Sequence, residues 1–77
     1  MAWVKRVERK QGEGRRQPSE VIAFVKVFDI QDSSPIIQID TFGSEDRQNP
    51  GKQSQTLQFG RESAKQLFDL LKQTYKF

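Results

Sequence analysis

Val21–Phe42 reads VIAFVKVFDIQDSSPIIQIDTF, two apolar runs separated by the breaker Gln31-Asp32-Ser33-Ser34-Pro35. The first run, Val21 to Ile30, is rich in β-branched and aromatic residues, the composition of a strand. Alternation places Val21, Ala23, Val25 and Val27 on one side and Ile22, Phe24, Lys26 and Phe28 on the other. The second run, Ile36 to Phe42, is its antiparallel partner. Ile37 and Ile39 share one side there, and Gln38, Asp40 and Phe42 share the other. This hairpin predicts a sheet with one apolar face and one face that mixes rings, a lysine and polar groups. Such a mixed face is too polar for a second core and too aromatic for ordinary solvent exposure.

Outward from the hairpin, Trp3 to Lys10 alternates loosely and reads as a strand with Trp3, Lys5, Val7 and Arg9 on one side. Gln11 to Ser19 is a Gly-, Pro- and Arg-bearing loop. A polar loop through Lys52, broken by Pro50-Gly51, follows Phe42. Thr56 to Phe59 then reads as a short strand with Leu57 and Phe59 pointing inward. From Arg61 to about Lys76, Ala64, Leu67, Phe68, Leu71 and Tyr75 form one amphipathic helical stripe, which Leu70 broadens. Glu62 near the start and Lys72 and Lys76 near the end suit the helix dipole. The expected order is strand, strand, strand, strand, helix in one domain over residues 1–77: a basic N-terminal strand and loop at 2–20, sheet at 21–59 and helix at 61–76. The helix is expected to cover the face of Val25, Val27, Ile37, Ile39, Leu57 and Phe59.

A chain of 77 residues buries only roughly 60% of its unfolded surface, so a lone copy has little core to stabilise it. It has no Cys and no His, which rules out disulfide staples and finger-type zinc sites. Association of copies remains the common way to enlarge so small a core. No apolar run is long enough to span a bilayer, and MAWVKRVERK lacks the apolar segment of a secretory signal. The expectation is a soluble intracellular protein, of the cytoplasm or nucleoid, or of the nucleus in a eukaryote.

Without Cys and His, the common nucleophile–base pairs are missing. The carboxylate pairs Glu45/Asp46 and Asp29/Asp32 lie in turns, where acids are ordinarily solvated. Gly12-Glu13-Gly14 is a lone GxG, not a phosphate loop. No catalytic residue, metal ligand or cofactor is expected. The net charge of +3 is unevenly placed: residues 1–16 hold six basic and two acidic groups, the remainder seven and eight. A basic arm of this kind points to a polyanionic partner, and its plain alternative is a solvated segment with none.

Exposed rings beside cations are what single-stranded nucleic acid binders use: bases stack on the rings while cations track the phosphates. The candidate rings are Trp3, Phe28 and Phe42. Phe24, in mid-strand among apolar neighbours, reads rather as a packing residue. The candidate cations are Lys5, Arg9, Lys26, Arg47 and Lys52. The rival reading buries Phe24, Phe28 and Phe42 against a protein partner.

From Val21 to Gln73 the sequence resembles the single-stranded-DNA-binding domain of the transcriptional coactivator positive cofactor four family and its small bacterial and phage relatives. The likeness is carried in order by FVKVFDI, PIIQIDTF, NPGK, TLQF and RESAKQLFDLLKQ. It implies an α+β fold, a curved four-stranded antiparallel sheet followed by one helix (ββββα). It also implies a homodimer packed through the helices, using Ala64, Leu67, Phe68, Leu70, Leu71 and Tyr75. Single-stranded DNA would lie along sheet and loops without strong sequence preference, in transcription, replication or repair, with transcription or replication proteins as further partners. Single-stranded RNA offers the same chemistry. Phe42 falls where the family stacks an aromatic on DNA, Lys52 falls in its basic loop, and Lys26 lies on a strand that supplies cationic contacts. Three departures stand out: Asp40 where arginine is frequent, Gly43 where the coactivator has another aromatic, and the weakly basic Gln53-Ser54-Gln55.

Overall fold

The computed structural model describes residues 1–42 and 53–77. Four strands, β1 (Ala2–Val4), β2 (Ile22–Phe28), β3 (Ile36–Phe42) and β4 (Gln53–Phe59), are followed by one helix, α1 (Arg61–Tyr75). The strands lie in the order β1-β4-β3-β2.

The β2–β3 hairpin forms as its alternation predicts, Val25 opposite Ile39 and Val27 opposite Ile37. Its turn closes through a 3.0 Å bond from the Ser33 amide to the Ile30 carbonyl. Asp32 takes a left-handed conformation there (φ 61°), which Asp tolerates better than most residues because its short side chain bonds locally. The strand β4 is longer than Thr56–Phe59: the polar Gln53-Ser54-Gln55 pairs too, because β3 offers a full ladder of partners. Between Thr41 and Phe42 the register slips, so that Phe42 pairs with Gln53 while Thr41 pairs with Gln55.

The expected all-antiparallel sheet is corrected at its edge: β1 runs parallel to β4, Trp3 opposite Gln58. Both β2 and β4 are antiparallel to β3, so β1 and β2 point the same way from opposite edges of the sheet. Parallel strands need a crossover of a dozen or more residues, and residues 5–21 supply it. The N-terminal strand is correspondingly short, and Lys5 to Lys10 lie outside it. That segment is tied instead to the helix, where the Val7 amide donates a 2.7 Å bond to Gln66 Oε1.

The register assembles the apolar face in two rows, Val27–Ile37–Phe59–Val4 and Val25–Ile39–Leu57–Ala2. The helix does not cover it within one chain, contrary to expectation. It begins directly after β4, at Gly60, and meets the sheet at that end. Val25, Val27 and Leu57 stay 60%, 69% and 40% exposed. Among the described residues only Ile36 and Phe59 are buried hydrophobics. The helical stripe is split: Leu67 and Leu70 are half-buried beside the buried Ser63, whereas Phe68, Leu71 and Tyr75 are exposed. Among the described residues, no helix is long and apolar enough to cross a membrane.

Candidate nucleic-acid interface

On the second face of the sheet, one row runs across all four strands as Lys26–Gln38–Gln58–Trp3, and the next as Phe24–Asp40–Thr56. Phe42 with Ile22 borders these rows at one end, and Ile36 with Phe28 at the other. Strand alternation alone sets these side chains on one side. What it does not set is how the polar groups are used.

Asp40 is the centre. It is buried (4% exposed) together with Gln38 and Thr56, and a carboxylate so placed requires hydrogen bonds to offset its lost hydration. Thr56 Oγ1 donates to Asp40 Oδ1 at 2.8 Å. Gln38 Nε2 donates to both carboxylate oxygens, at 3.1 and 3.3 Å. Gln58 Nε2 in turn donates to Gln38 Oε1 at 2.9 Å. Lys26 Nζ lies 3.9 Å from Asp40 Oδ2 with its side chain largely exposed. The ammonium thus faces the carboxylate on one side and keeps donors for solvent or a ligand on the other. The Asp40 charge that the sequence sets against a phosphate is held inside this network, with a cation over it.

Around the polar rows stand the rings. Phe24 and Phe42 meet edge to face, centroids 5.2 Å apart and planes at 85°, an arrangement aromatic pairs favour. Phe24 is the open member, 56% exposed, and Phe42 is half-buried. This reverses the sequence assignment, in which Phe24 was the packing residue. Phe28 is half-buried as well. Trp3 is 54% exposed and lies flat over Gly60, where a Cβ would come within 2.8 Å of the indole Cη2 and 2.9 Å of Cζ2. The glycine before the helix is therefore the floor under the tryptophan.

Of the predicted site residues, Trp3, Lys26, Phe28 and Phe42 share this face. Lys5 and Arg9 do not continue Trp3's strand: they flank Val7 on the exposed segment tied to the helix. Arg47 and Lys52, with Gly43, lie outside the described residues. Thr56 and Gln58 were not singled out from sequence. Their signal was present in two polar i, i+2 pairs, Gln38/Asp40 and Thr56/Gln58, that the strand register brings side by side. Among the described residues no group of three acidic side chains is placed to hold a metal ion.

No protein-family model matches the chain, and no curated protein or solved structure matches it either.

Proposed function

We propose that this protein is a non-enzymatic, dimeric binder of single-stranded DNA, largely indifferent to sequence, as its resemblance to the positive cofactor four family implies. The observation that carries the proposal is the face on which the exposed rings of Phe24 and Trp3 flank Lys26 and a hydrogen-bonded polar centre. Bases stack on rings whatever their identity, and the Lys26 ammonium is free to meet phosphate. The Asp40 network supports the same reading, since it holds the lysine and the strands in place before a ligand arrives. The basic residues 1–16 add long-range attraction for a polyanion. Single-stranded RNA would meet the same groups.

Trp3 is the one tryptophan of the chain and lies on the proposed surface, so its fluorescence is the natural probe. Titration with oligo-dT is expected to quench it, and unlabelled duplex of the same length is expected to compete poorly. Equal competition by duplex, or no change in Trp3 emission while binding is seen by other means, would count against this face.

A further inference from the structure

The helix presents a second surface that the nucleic-acid reading leaves unused. Ala64, Phe68, Leu71 and Tyr75 recur in steps of four, three and four residues and so form one straight ridge. Phe68, Leu71 and Tyr75 are exposed. The ridge starts at a cleft of about 410 Å³ where helix and sheet diverge, lined by Val27, Pro35, Ile37, Phe59 and Ala64, with Arg61 and Lys65 at the helix side. It ends at a pair of stacked rings, Tyr75 and Phe77, with centroids 5.6 Å apart. Phe77 turns back onto Tyr75 because Lys76 adopts the left-handed conformation (φ 59°) and its amide bonds the Lys72 carbonyl at 2.8 Å. One end of the ridge is therefore a small residue at a cavity, and the other is a bulky aromatic pair, 65% and 78% exposed.

Resting on the dimeric reading above, we propose that two copies of this chain pair antiparallel along this ridge, Tyr75 of each copy seating over Ala64 of the other. The four-three-four spacing is symmetric about its midpoint between Asp69 and Leu70. An antiparallel two-fold axis there sets Ala64 against Tyr75 and Phe68 against Leu71, twice each, as a self-complementary interface requires. Small then meets large, and each aromatic pair enters the cleft that the other copy leaves open beneath Val27 and Ile37. The rim cations Arg61 and Lys65 come within reach of the incoming ring faces, a favourable cation–π placement. A parallel pairing would set Tyr75 on Tyr75 and Ala64 on Ala64, leaving both clefts empty and the two helix dipoles aligned.

The absence of native cysteine makes cross-linking a clean test. Within one helix, positions 64 and 75 are about 16 Å apart along the axis, too far for an internal disulfide. Ala64→Cys and Tyr75→Cys are made as separate variants, each checked for native circular dichroism, and oxidised alone and as an equimolar mixture. The expected result is a covalent dimer from the mixture, several-fold above either variant alone, and from the double variant A64C/Y75C. Cross-linking of either single variant as strong as that of the mixture overturns the antiparallel seam. Sedimentation of the unmodified protein separates the levels. A dimer whose mixture fails to cross-link contradicts this seam alone, and a monomer at micromolar concentration removes the dimer itself. Oligo-dT binding is read independently of both.

Discussion

The Thr56 hydroxyl reaches across from β4 to donate a 2.8 Å hydrogen bond to the buried Asp40 carboxylate of β3. Every other feature of the ring-bearing face is arranged about that contact, because Asp40 also anchors Gln38 and stands under Lys26. Thr56→Val keeps the shape and removes this donor from a buried charge. A hydrogen bond to a charged group contributes about 1.5–3 kcal/mol, so the urea midpoint is expected to fall by that equivalent. An unchanged midpoint would mean that Asp40 is not held as described.

Gly60 is required by contact rather than by conformation, since its φ of −92° is open to any residue. Gly60→Ala drives a methyl into the Trp3 indole, and one of the two must move. The expected cost is about 1–3 kcal/mol, with a red shift of Trp3 emission as the ring lifts into water. Trp3→Leu in the same background should recover much of the loss, which a thermal melt of the double variant would reveal.

Phe24 and Phe42 touch, so their contributions to binding are coupled. A base stack contributes about 1–3 kcal/mol, and Phe24→Ala is expected to weaken oligo-dT binding by a factor in that range. Phe42→Ala removes the edge that braces Phe24 as well as its own surface. The double variant should therefore lose less than the sum of the single losses in a double-mutant cycle. Strict additivity would argue that the two rings act separately.

Lys26 has a structural and a proposed binding role, which one substitution separates. Lys26→Met leaves the stem and removes the charge. Because the pair with Asp40 is long and its lysine exposed, stability is expected to change by less than about 1 kcal/mol. If Lys26 contacts a phosphate, the slope of log K against log salt should shrink by about 0.7. Calorimetric melting and a salt titration of the variant read the two effects.

The hairpin and the helix were legible in the sequence because long alternating and 3.6-residue patterns carry them, and the register confirms every pairing of Val25, Val27, Ile37 and Ile39. The edge strand was not, because three residues, Ala2–Val4, hold too little pattern to specify direction. Nor does an apolar stripe say what it packs on: Leu67 and Leu70 turn inward, while Phe68, Leu71 and Tyr75 turn out. The polar centre was misread for a related reason. Gln38 and Asp40 look like solvent-facing residues until Thr56 and Gln58 are set beside them, and only the pairing of β3 with β4 does that. Phe24 sits among apolar neighbours in sequence and is open in space, because its apolar neighbours Ala23 and Val25 point to the other face.

The most direct test is the anisotropy of labelled oligo-dT titrated with the protein at two salt concentrations, beside Phe24→Ala. The predicted result is binding that weakens with salt in proportion to the phosphates contacted and falls further when Phe24 is removed. Absence of binding at low salt, or binding indifferent both to salt and to Phe24, would contradict the account and transfer the exposed rings to a protein partner.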